Sequence, residues 1–209
     1  MKEHENWTEE DWKKVLWTDE SKFEMFGSRR RQYVRRRPGE EYLEDCLNPT
    51  MKHGGGSIMV WGCFSGYGVG DLIKIEGKMD AKKYHHILSS HAIPSGLRLI
   101  GPGFVLQQDN DPKHTARSIK EYLARKEEQG QLKCMEWPPQ SPDFNLIEHL
   151  WELLDRKRVE RQPKSLEDLW RILKEEWEKI SPDYIASLIS SIKDRLLSAK
   201  RNKGGHTKY

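Results

Sequence analysis

The stretch "FVLQQDNDPKH", Phe104 to His114, decides how this chain is read. Strand-compatible residues run into a polar cluster, so that Asp109 and Asp111 arrive where an apolar strand leaves the core. Pro112, Lys113 and His114 follow at once. Carboxylates gathered at such a point repel one another unless a cation neutralises them. The reading therefore turns on which other acids stand at element ends.

Upstream, "KVLWTDESKFEMFG" has the alternation of a strand, with Val15, Trp17 and Asp19 on one side and Asp19 closing the run "VLWTD". "RQYVRRRPGE" reads as a partner strand ending in a Pro38-Gly39 turn, and "KHGGGSIMVWGCFSGYGVGDLIKIEG" as two β-rich runs joined as a hairpin. "DAKKYHHILSSHAI" is a helix capped by Asp80. Downstream of the opening strand, "TARSIKEYLARKEE" is an amphipathic helix started by Thr115, "LKCMEW" a short strand, and "NLIEHLWELLDRKRVER" a helix with Ile147, Leu150, Trp151 and Leu154 on one face. Two further helices, capped by Ser165 and Ser181, complete the chain, and Thr8 caps a short leading helix. Strands first, then alternation, then helices describe a mixed α/β domain with a helical cap.

Three acids then stand out. Asp19 and Asp109 end strands, and Glu148 lies in the first turn of a helix. Ligands of α/β sheets gather at strand ends. Magnesium takes oxygen ligands, and two such ions about 3.5–4 Å apart activate a water or a 3′-hydroxyl and stabilise the leaving oxygen of a phosphodiester. Each acid also has a structural reading. Asp19 suits a turn in "TDES", Asp109 and Asp111 suit Asx turns before Pro112, and Asn145 with Glu148 has the spacing of a capping box. His114 beside Lys113 suits either phosphate binding or a structural role.

Composition narrows the class. The 209 residues carry a net charge of only +3, so overall charge does not call for a polyanionic partner. Two local runs, "RRRQYVRRRP" and "KRNKGGHTKY", are basic and suit either a solvated edge or nucleic acid. Eight tryptophans supply area for a well-packed core. Cys46, Cys63 and Cys134 are widely spaced with no C-x-x-C, which fits neither a disulfide framework nor a zinc site and suits a reducing compartment. The charged start has no signal-peptide core, and no apolar run approaches the roughly 18 residues of a membrane helix.

Four blocks in order, "VLWTDESKFEMFG", "KHGGGSIMVWGCFS", "QQDNDPKHTA" and "WPPQSPDFNLIEHLWELLDR", resemble the catalytic domain of Tc1/mariner-type DNA transposases from about Trp7 to Tyr209. The resemblance implies an RNase H-like mixed sheet flanked by helices, with a C-terminal helical segment. It implies a lead-in at 1–14, a catalytic domain at 15–161 and a helical extension of it at 162–209. It also implies an Asp19, Asp109 and Glu148 triad holding two Mg2+ ions (Mn2+ substituting), with Asp111, Lys113 and His114 in support. The expected reaction is DNA cleavage and strand transfer. The expected partners are transposon-end and target DNA, a homodimer is an admissible assembly, and the expected location is the nucleus. Arg29, Arg30, Arg31, Arg35, Arg36 and Arg37 suit phosphate contacts or a nuclear import signal.

The departures from that pattern are specific. Asp109 and Glu148 are separated by 38 residues, a few more than is commonest in the family, and the surplus fits "LARKEEQGQLK". Leu146 replaces a proline usual at the helix start. The family's N-terminal pair of helix-turn-helix modules has no counterpart here. That leads to the expectation of a fragment, a truncated copy or a host-retained remnant. The alternative function is a DNA-binding protein that keeps the fold without catalysis; an RNase H or junction nuclease on the same fold is a third.

Overall fold

Alternating side chains from Val15 to Glu24 make β1 the centre of the molecule, because each face meets a separate core. The structure is a computed structural model and describes residues 4, 6–25, 56–138, 141 and 144–201. The expected strand "RQYVRRRPGE", all six arginines of the cluster, Cys46 and the basic tail lie outside the described residues.

Five strands form one mixed sheet in the order β3-β2-β1-β4-β5. β1 pairs antiparallel with β2 (Ser57–Ser65), and β2 with β3 (Gly68–Ile75), which gives the expected hairpin. On its other side β1 runs parallel to β4 (Phe104–Leu106), which pairs in parallel with β5 (Leu132–Cys134).

One face packs on α1 (Glu9–Lys13), α5 (Ile147–Arg161), α6 (Leu166–Glu178) and α7 (Pro182–Ser190), followed by α8 (Ile192–Arg201). Val15, Trp17, Phe23, Val60 and Phe64 point into this core and meet Leu150, Trp151, Leu173 and Trp177. Trp177 Nε1 also donates to Gly70 O at 2.9 Å, which ties α6 to β3. The opposite face, with Leu16, Trp61, Cys63 and Leu106, lies under α2 (Ala81–Ile87), α3 (Ile93–Leu99) and α4 (Arg117–Glu128). α2 and α3 are joined by a π-turn, Leu88–Ala92. The wider turn suits Pro94, which has no N–H for the helical ladder.

Thr8, Asp80, Ser165 and Ser181 cap their helices as the sequence predicts. Several boundaries differ. The last predicted helix is two, interrupted at Ser191. Thr115 does not cap α4; Ala116 holds that position without a side-chain bond, and the Thr115 hydroxyl donates to Asp111 O instead. Asp19 does not close its strand, since β1 continues to Glu24. Asp109 lies three residues beyond the end of β4. Cys63 and Cys134 are free, and burial pushes both thiols up to about 12, so both are protonated at neutral pH.

Candidate active site

β1 and β4 are laddered only as far as Leu16 and Leu106. There Gln107 takes over: its N–H donates to Leu16 O at 3.0 Å, its Oε1 accepts from Thr18 N at 3.1 Å, and its carbonyl accepts from Thr18 Oγ1 at 2.8 Å. Asp19 is the first residue of β1 beyond this buried clamp. The two strands part here, at the carboxyl end of β4 and midway along β1.

Glu148 reaches the same place by packing. Asp19 stands opposite Gly62 on β2, and a Cβ at Gly62 would meet the Trp151 ring at 2.7 Å. The bare glycine lets α5 lie directly on the sheet. Glu148 is three residues before Trp151 and shares its helix face. Its charge accordingly raises the Asp19 pKa, as the second cause after burial; together they hold that carboxyl up at about 8, with smaller contributions from Glu20 and Asp109.

Asn145 fixes the approach. Its Nδ2 donates to Thr18 O at 3.3 Å and to Asp19 Oδ2 at 3.4 Å, while its Oδ1 accepts from Ile147 N at 3.4 Å. The capping-box alternative is not what forms: Leu146, fully buried, occupies the N-cap position, with no side-chain bond. The other Asp19 oxygen accepts from Glu20 N at 2.7 Å.

Asp109 enters from the loop after β4. Its Oδ1 accepts from Asp111 N at 3.0 Å, the Asx turn that the sequence allows, and contacts His114 Nδ1 at 2.5 Å. His114 is buried, and its Nε2 lies 3.3 Å from Glu20 Oε1. Burial alone would lower the His114 pKa, but the Asp109 and Glu20 contacts outweigh it and raise it to about 9, so both ring nitrogens act as donors at neutral pH. The His114 contact is also the main reason the Asp109 carboxyl titrates low. Tyr84 lies against the imidazole at 4.0 Å between ring centres, with its hydroxyl on Gln108 Oε1 at 2.7 Å. Lys113 Nζ bridges Asp111 Oδ2 at 2.6 Å and Glu20 Oε2 at 3.3 Å.

Of the residues predicted from sequence, Asp109, Asp111, Lys113 and His114 form one connected group, and the Glu148 charge acts on Asp19 beside it. Three participants were not predicted: Glu20, Tyr84 and the tethering role of Asn145. Glu20 had a signal, being a carboxylate on the same alternation as buried Leu16 and Thr18.

The donor set is all oxygen among the acids: Asp19, Glu20, Asp109, Asp111 and Glu148, against the two cations Lys113 and His114. That excess of carboxylates suits a hard divalent cation. Among the described residues no three His, Cys, Asp or Glu side chains already close on one point. The Asp109 oxygen that faces the group is held by His114 and the Asp111 N–H.

Residues 14–170 match the family model described as DDE superfamily endonuclease. The Tc1 transposase of Caenorhabditis elegans is 40% identical over 208 residues, covering 100% of this chain and 75% of the relative. Among solved structures, the Mos1 transposase paired-end complex with left transposon end aligns with a TM-score of 0.75 at 18% identity, over 93% of this chain and 56% of that one. The Mos1 transposase catalytic domain solved with raltegravir and Mg aligns with a TM-score of 0.69 at 14% identity, over 94% of this chain and 87% of that one. The fold is thus the RNase H-like sheet of the Mos1 catalytic domain. With β1 and β4 parted at Asp19 and a match along its whole length, the chain belongs to the DDE superfamily of endonucleases, among the Tc1/mariner transposases.

Proposed function

We propose that the chain cuts DNA at transposon ends and joins the released 3′-hydroxyl to target DNA, with Asp19, Asp109 and Glu148 as the catalytic acids. The observation that carries this reading is that α5, seated over Gly62, brings the Glu148 charge to bear on Asp19 at the point where β1 leaves β4 and the Asp109 loop arrives. The three acids would hold two Mg2+ or Mn2+ ions, which supply an activated nucleophile and charge stabilisation at the leaving oxygen. The Mos1 catalytic domain has been solved with Mg and with Mn, which supports that choice of cation.

The chain's own residues do the positioning. Asn145 holds Asp19 toward α5, and His114 holds Asp109 toward Glu20. Lys113 is held between Glu20 and Asp111, so its charge serves the acids first. This chain spans 75% of the length of the Tc1 transposase.

The test is Mg2+- or Mn2+-dependent nicking and strand transfer on DNA carrying matched ends. Asp109→Asn is expected to abolish both, and unchanged activity in that variant would refute the assignment. Salt-sensitive DNA binding with no metal-dependent cleavage by the wild-type chain would instead mark a non-catalytic, transposase-derived DNA-binding protein.

A further inference from the structure

Beside the acids lies a cleft of about 580 Å3 whose lining includes Met59, Lys78, Met79, Asp80, Asp111, Pro112 and Lys113. Its volume falls within the roughly 300–1,000 Å3 of ligand pockets. Met59 explains why it is open. It precedes Trp61 and Cys63 on the same face of β2, but where they are buried it remains 38% exposed. Its partners across the sheet are Lys22 on β1 and Ile75 on β3.

The polar groups of the cleft are mostly committed. Asp80 accepts from Lys83 N at 2.8 Å, and Asp111 pairs with Lys113, which also reaches Glu20. Lys78 has no ion-pair partner among the described residues. What remains is a floor of two thioethers and a proline ring with one open ammonium at the edge. That floor offers nothing to a phosphate, but thioether sulfur packs well on aromatic rings. A nucleobase fits this chemistry, with its backbone phosphate toward Lys78, and a base can enter only if it is unpaired.

We propose that this cleft binds an unpaired base of the DNA strand that lies next to the scissile phosphate. The inference rests on the proposed catalytic role of the neighbouring acids. It assigns Met59 and Met79 as the stacking surface and Lys78 as a phosphate contact.

The test compares a blunt duplex with the same duplex carrying a short single-stranded 3′ overhang, by fluorescence anisotropy in EDTA. The wild-type chain is expected to bind the overhang about two- to tenfold more tightly, the effect of one ring packed on thioether sulfur. In the Met59→Ala/Met79→Ala variant the ratio is expected to fall to one. NMR of methyl-labelled methionine in the wild-type chain gives an independent reading that needs no variant: the Met59 and Met79 methyl signals move upfield with overhang DNA and stay in place with blunt DNA. Equal affinities for the two duplexes, or unmoved methyl signals, overturn the proposal. Both readings are taken without metal, so they stand or fall separately from wild-type nicking, which tests the catalytic assignment.

Discussion

Asn145 donates to Asp19 across 126 residues of sequence, at 3.4 Å, and in doing so joins the segment leading into α5 to the centre of β1. The same amide also holds the Thr18 carbonyl, so it sets where both Asp19 and the start of the Glu148 helix sit. Outer-shell partners of this kind typically carry about 10–100-fold in metal affinity or activity. Asn145→Ala is therefore expected to lower Mn2+-dependent nicking by that order, mainly as a rise in the metal concentration needed. A metal titration of nicking rate checks it, with circular dichroism to confirm folding.

Gly62 is the second determinant of that placement. A methyl group there falls 2.7 Å from the buried Trp151 ring, which has nowhere to move between Phe23 and Trp177. Gly62→Ala should destabilise the protein by about 1–3 kcal/mol, as overpacked cores do. Urea unfolding measures the loss. Because α5 must lift, nicking should fall further than the same loss of stability produces in a variant remote from α5.

Gln107 carries the clamp at which β1 and β4 separate. Gln107→Leu removes the acceptor of the buried Thr18 N–H, a loss of about 1–3 kcal/mol for a stranded buried donor. Equilibrium denaturation checks the value, and Thr18→Val in the same background should add less than it does alone, because the two residues share one network.

Away from the site, Asp71 on β3 is held by His91 Nδ1 at 2.9 Å and by Arg98 at 2.9 Å. Burial would raise its pKa, but these contacts and Ser95 outweigh that and lower it. A carboxylate with a lowered folded-state pKa adds stability that is present above its unfolded value of 3.8 and lost as pH falls through the folded one. Asp71→Asn should therefore cost stability near neutral pH and have progressively less effect on the acid side of pH 3.8. Melting temperatures of the two proteins across that range test the sign.

Much of this arrangement was legible in sequence because it depends on local patterns. Alternation located β1, β2 and β3, and hydroxyl or carboxylate caps located four helix starts. Asp19 and Asp109 could be singled out because each follows closely on an apolar run. What sequence left open depends on distance in space. Asn145 and Glu148 have capping-box spacing, yet Asn145 bonds to β1, a contact that no local pattern encodes. Asp19 looked like a strand end because polarity rises after Trp17; β1 continues because its odd-numbered residues resume burial at Ser21 and Phe23. Glu20 was overlooked as one charged residue among several, and its role appears only once the His114 loop folds over it.

The central claim is that Asp19, Asp109 and Glu148 share their cations. Anomalous diffraction from crystals of the wild-type chain grown with Mn2+ tests it most directly. The account predicts manganese density between the three carboxylates, with Asp19 and Asp109 both ligating. Manganese bound elsewhere, or contacting one of these acids while another points away from it, would contradict it.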